Sequence, residues 1–161
     1  MSAQEPSLDP AIAAFTEVAH RFCAWAEKPG LDQRADMLTA RRLLAELHAA
    51  LLQLPDVGPG QKARGPRPPG QLEQAVFARL QKLPADVYHD IFNPLDAEDR
   101  QLVSHSLAND LMEIWAALRH GLFLMEKGQP AEAVREWRFS FDSRWGGHLV
   151  RAQRVLHSYF T

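Results

Sequence analysis

A single cysteine, Cys23, occurs in 161 residues. That excludes an internal disulfide and any cysteine-rich zinc site. Charge of one sign is missing too. Eighteen Lys and Arg stand against twenty Asp and Glu, for a net charge of −2. No strong basic field exists to hold nucleic acid or an anionic membrane. The apolar runs fall far short of the roughly 20 residues of a membrane span. Met1 to Pro10 is polar, with two prolines and two acids. A secretory signal needs a basic start and an apolar run of about 7–15 residues. Neither is present, and the lone thiol agrees with a reducing compartment. The expectation is a cytoplasmic protein with no membrane contact. The familiar catalytic fingerprints are also absent: GxxxxGK[ST], GxGxxG, GxSxG and HExxH do not occur.

Apolar residues make up 46% and charged residues 24%, ordinary values for a globular chain. A chain of this length fits one domain over 1–161 and can bury roughly 68–70% of its unfolded surface. The patterning is helical nearly throughout. Asp9 caps a first helix with Pro10 at its first position, and Ile12, Phe15, Val18, Ala19, Phe22 and Trp25 form one apolar face before Pro29-Gly30. A second helix spans about 32–53, with a stripe of Leu38, Leu43, Leu44, Leu47, Leu51 and Leu54. The segment 55–70 holds five prolines and four glycines in sixteen residues. It reads as a long flexible loop with local positive charge at Lys62, Arg64 and Arg67, and could serve as a strap for an acidic partner.

A third helix covers about 71–82, with Leu72, Val76, Phe77 and Leu80 inward. Val87, Tyr88, Ile91 and Phe92 then form a short apolar cluster, read as a short helix or extended turn. No alternating strand pattern of useful length is visible. The strongest helix is the fourth. Leu107, Leu111, Ile114, Leu118, Leu122 and Met125 step by four and three residues, and Trp115 widens the stripe. Such a helix belongs at the centre of a bundle. A fifth helix starts at Pro130, Trp145-Gly146-Gly147 breaks the chain, and a last helix follows. The expected fold is all-α: a single-domain antiparallel bundle of five to six helices.

Two places could carry chemistry. On the fourth helix, Ser106, Asn109, Asp110 and Glu113 make a polar patch inside a very apolar segment. Asp110 and Glu113 share a face, and Asp110 lies close to the core. A buried carboxylate needs hydrogen bonds or a cation, which Arg138, Arg144 or His148 could supply. Paired carboxylates with histidine can also hold a metal in a bundle, but the diagnostic pair of Glu-x-x-His motifs is missing. The second place is the run WRFSFDSRWGGH, Trp137 to His148. Trp137 and Phe141 share a helical face and Phe139 does not. The cluster suits either a core corner or an aromatic and cationic pocket for an anionic ligand or a partner peptide. Gly146-Gly147 at a helix start would leave N–H groups for an anion. Cys23, beside Phe22 and Trp25, reads as a small core residue.

These segments also carry a resemblance. SLANDLMEIWAALRHGL (106–122), AVREWRFSFDSRWGGH (133–148), the terminal VLH and the opening FTEVAHRFCAWAE resemble the bacterial family known as domain of unknown function 5063. Asn109 stands where that family's pattern has an acid, and Arg144 where it has histidine. The departures count mildly against a metalloenzyme. The resemblance implies an all-α bacterial protein and groups Ser106, Asp110, Trp137, Phe139, Trp145, Gly146 and His148 into one constellation. It implies no activity.

The residues favour a non-catalytic binding or interaction module. Its candidate binding residues are Ser106, Asp110, Glu113, Trp137, Phe139, Arg144, Trp145 and His148. No catalytic residue, metal or cofactor is assigned. The expected partner is a protein or a small anionic ligand, not nucleic acid, with the chain a monomer or homodimer. A metal-binding protein or enzyme using Asp110, Glu113 and His148 is the alternative. An antitoxin or immunity-type inhibitor is the third reading.

Overall fold

The computed structural model describes residues 8–28, 30, 32–60 and 68–161. Pro29, Leu31 and residues 61–67 of the predicted loop, with Lys62, Arg64 and Arg67, lie outside the described residues, as does the stretch before Leu8. Six α-helices and one two-stranded sheet are present among the described residues. Helix α1 (Pro10–Glu27) begins where its cap predicts: the Asp9 carboxylate accepts from the N–H of Ala11 at 2.8 Å. Asp32 caps α2 (Gln33–Leu52) through the N–H of Ala35. Then come α3 (Gly70–Leu80), β1 (Val87–Ile91), β2 (Leu102–Ser106), α4 (Leu107–Glu126), α5 (Pro130–Ser140) and α6 (Gly146–Phe160). Helix α4 is the central element and packs against α1, α3, α5 and α6. Its Leu111, Ile114, Trp115 and Leu118 are fully buried. Burying one such side chain is worth about 1.5–3 kcal/mol, so this helix anchors the domain.

Two leucines leave their predicted stripes. Leu38 is exposed while Met37, Ala40, Leu44 and Leu47 are buried. One residue is about 100° around a helix, so Met37 takes the inward position and Leu38 misses it. Leu72 is exposed because it sits in the first turn of α3, ahead of buried Val76 and Leu80.

The larger departure is the hairpin. Residues 87–91, read as a short helix or turn, form β1, which pairs antiparallel with β2 in the register Val87↔Ser106 to Ile91↔Leu102. The alternation is there, but reversed in polarity. Val87, Ile91 and Leu102 face outward and are exposed, while Tyr88, Asp90 and His105 are partly covered. A strand normally puts its apolar set toward the core, so this pattern gives no strand signal. The hairpin is tied to α4 through Asp86. Its main-chain carbonyl accepts from the N–H of Leu107 at 2.6 Å, and its carboxylate accepts from Ser106 Oγ at 2.7 Å and the N–H of Ala108 at 3.1 Å.

The predicted break at Trp145-Gly146-Gly147 is also corrected. The helix does not stop there. Phe141–Trp145 forms a π-helical turn that joins α5 to α6, and the N–H of Gly146 donates back to the carbonyl of Phe141. A π turn widens the helix by one residue without ending it. Gly146 is required, since a Cβ there would stand 2.5 Å from the Phe141 carbonyl oxygen. The turn therefore leaves no free helix start for an anion.

Candidate functional site

Asp110 is the one buried charged side chain among the described residues, at 1% exposure. It lies in the first turn of α4, one turn before Ile114. Three groups from two other elements converge on it. From β1, Tyr88 donates its hydroxyl to Asp110 Oδ2. From α6, His148 Nδ1 lies 2.7 Å from Oδ1, and Arg151 Nη2 lies 3.7 Å from the same oxygen. Arg151 Nη2 is also 3.2 Å from His148 Nδ1. One ring nitrogen cannot both donate to the carboxylate and accept from the guanidinium. A carboxylate only accepts, so Nδ1 carries the proton toward Asp110 and Arg151 acts on the carboxylate by charge. The ring then leaves Nε2 as its remaining polar atom. Burial pushes the Tyr88 phenol well above its ordinary value, the Asp110 hydrogen bond and charge add to this, and Arg151 opposes it.

A groove with a cavity volume of about 410 Å³ opens beside this cluster. Its α6 wall is Arg151, Arg154, Val155, Ser158 and Tyr159, a stripe at helical spacing. The opposite wall is Tyr88, His89 and Asp90 of β1, with Ala85 beside them. Tyr88 and Arg151 belong to both the groove and the Asp110 cluster.

The predicted constellation is divided by the structure. Asp110 and His148 meet. Glu113 turns instead to Arg144, whose Nε and Nη2 reach Glu113 Oε2 at 3.1 and 2.5 Å near the surface. Arg138 goes elsewhere, to Asp56 at 3.6 Å. Ser106 is a cap: its Oγ accepts from the N–H of Asn109 and donates to Asp86. Trp137 and Trp145 are core. The Trp137 indole donates to the Leu118 carbonyl and packs 4.7 Å from the Phe15 ring. Trp145 donates to the Trp137 carbonyl at 3.1 Å. Phe139 is 72% exposed. Among the described residues, no group of three or more His, Cys, Asp or Glu is placed to hold a metal ion. Cys23 is buried, and burial pushes its thiol up to about 12, with Arg119 opposing and Glu27 adding.

Sequence reasoning misses Tyr88 and Arg151. Tyr88 falls in an apolar cluster, and its hydroxyl gains meaning only once β1 is a strand. Arg151 has a legible signal: it lies three residues after His148, on the same helical face.

The model for the Domain of unknown function (DUF5063) matches residues 6–161. The chain belongs to that family. Its fold is similar to the crystal structure of protein BF1032 from Bacteroides fragilis, with a TM-score of 0.78 and 20% sequence identity. The match covers 94% of this chain and 92% of that one, and at such identity it shows the fold alone. No curated protein matches the chain. None of the helices among the described residues is long and apolar enough to cross a membrane.

Proposed function

We propose that this member of the family is a binding module that takes an anionic group in the groove between β1 and α6. One observation carries the reading. Arg151 lines the groove while buried Asp110, behind it, fixes its position. Arg154 stands one turn later on the same wall, exposed and without an acidic partner among the described residues. A guanidinium held in place by a buried carboxylate loses less entropy on binding than a free one. The hydroxyls of Tyr88, Ser158 and Tyr159 add neutral hydrogen-bonding groups to the lining. The groove's volume lies within the roughly 300–1,000 Å³ of small-ligand sites.

Titration of labelled protein with inorganic phosphate and with glutarate tests this by NMR. Saturable amide shifts at Tyr88, Arg151 and Arg154 are expected, and Arg154→Glu should remove them. Shifts elsewhere only, or none that saturate, would sink the reading.

A second reading rests on the Asp110–His148 pair. A buried carboxylate that orients a histidine through Nδ1 is a recurring acid–base device. Among the described residues, however, His148 donates to Asp110 and lies beside Arg151, and no hydroxyl or thiol nucleophile joins it. Turnover of any ester, amide or phosphate substrate that is lost in His148→Ala but kept in His148→Gln would exclude acid–base chemistry by this residue.

A further inference from the structure

The groove's β1 wall has an unusual make-up. Side chains alternate between the two faces of a strand, so a pocket resting on a sheet face touches every second residue. This groove touches Tyr88, His89 and Asp90 in succession. No residue of β2 lines it, so it lies on the side of β1 away from β2. Among the described residues the sheet has two strands, so β1 has one strand neighbour there, β2. No other bond from main chain to main chain reaches residues 87–91 among the described residues, and the N–H of Ile91 goes to the Asp90 carboxylate. An unpaired strand edge is a template for one more strand. Here α6 stands across from it, and a single extended segment would lie between edge and helix.

Resting on the reading above, we infer that the anionic group is carried by an extended acidic peptide, which adds as a third strand along β1 and sets its carboxylate side chains against Arg151 and Arg154. The charges lining the groove support this choice. Two guanidiniums line it, Arg151 already facing the buried Asp110 carboxylate, against one lining carboxylate, Asp90. Asp90 already spends one oxygen on the N–H of Ile91, at 2.8 Å. His89 is engaged with Ser104 at 3.1 Å. Among the described residues Arg154 has no acidic partner; it stands on the helix wall, where the alternate side chains of an added strand would meet it. Main-chain bonds would supply affinity, and the arginines would set the preference for acid.

Four probes separate the possibilities on the full chain by NMR titration: glutarate, a blocked five-residue peptide of alternating valine and glutamate, its glutamine counterpart, and the glutamate peptide N-methylated at every interior amide. Methylation keeps the charge and removes the strand donors. The glutamate peptide should bind about tenfold or more tighter than the other three, with shifts in the β1 amides Tyr88 to Ile91. Arg154→Glu, at an exposed position that leaves the core untouched, should weaken it to the level of the glutamine peptide. Equal binding of the methylated and unmethylated peptides overturns the strand addition. If glutarate still binds in an Arg154-dependent way, the anion site survives alone. If neither glutarate nor peptide depends on Arg154, both fall. Equal binding of the glutamine peptide overturns the acidic preference.

Discussion

Asp110 and His148 lie 38 residues apart in sequence and 2.7 Å apart in space, bridging the first turns of α4 and α6. The carboxylate is out of water, and its partners come from β1 and α6. Removing the charge strands the groups that face it. Breaking a buried pair from one side costs about 3–5 kcal/mol. Asp110→Asn should therefore lower stability by about that amount in urea unfolding. Glu113→Gln breaks the neighbouring pair with Arg144, which reaches the surface, and exposed pairs are worth about 0–1 kcal/mol. Similar losses in the two variants would refute the central place given to Asp110.

The π turn makes a sharper prediction about glycine. Gly146→Ala would push a Cβ to 2.5 Å from the Phe141 carbonyl oxygen, a main-chain atom that cannot swing away. Overpacking of this kind costs about 1–3 kcal/mol. Gly70 opens α3, and a methyl group added there would meet nothing within 4 Å, so Gly70→Ala should gain up to about 1 kcal/mol. Thermal midpoints of the two variants should move in opposite directions. A neutral Gly146→Ala would mean that the π turn can relax at no cost.

The helical frame is legible because its signals are local: caps at Asp9 and Asp32, Pro10 and Pro130 at helix starts, and the unbroken stripe of α4. The site is half legible. Asp110 stands out as an acid inside that stripe, and His148 as a candidate partner. What stays hidden depends on long-range pairing. The Val87–Ile91 segment has its apolar residues outward, so period-two alternation points to nothing. The tryptophans are left open by the sequence. Trp137 and Trp145 lie eight residues apart and read equally as a core corner or a pocket, and the structure buries both indoles in the core. Gly146-Gly147 looks like a break because glycine ends helices far more often than it permits a wide turn within one.

Arg79 fastens three helices at once. Its Nε donates to the Lys28 carbonyl, Nη2 reaches Asp36 Oδ1 at 3.3 Å, and the guanidinium lies 4.8 Å from the Trp25 ring centre. Trp25 in turn donates to the same Asp36 oxygen at 3.0 Å. Hydrogen bonds to charged groups are worth about 1.5–3 kcal/mol each, so Arg79→Ala should cost about 2 kcal/mol or more. Because Trp25, Asp36 and Arg79 act as a unit, the costs of Arg79→Ala and Asp36→Ala should not add. A double variant as unstable as the sum of the two would show the contacts to be independent.

Stability should fall on the alkaline side, and two residues set where. Burial lifts the Cys23 thiol from an ordinary 9.0 up to about 12, and the Tyr88 phenol also rises from its ordinary 10.0. In the folded chain both groups hold their protons at a pH where the unfolded chain has released them. The unfolded state then binds fewer protons, so the unfolding free energy declines as pH rises. Their contribution is complete below about pH 9, starts to erode through the thiol near 9 and through the phenol near 10, and for Cys23 is gone above about 12. Urea midpoints measured from about pH 7 to 11 should stay level and then drop. Cys23→Ala should lessen the drop from about pH 9 upward, and Tyr88→Phe from about pH 10. Native Cys23 should also resist thiol reagents at about pH 8 until the chain unfolds. An alkaline limb identical in wild type and in the Cys23→Ala/Tyr88→Phe double variant would remove both residues from this account.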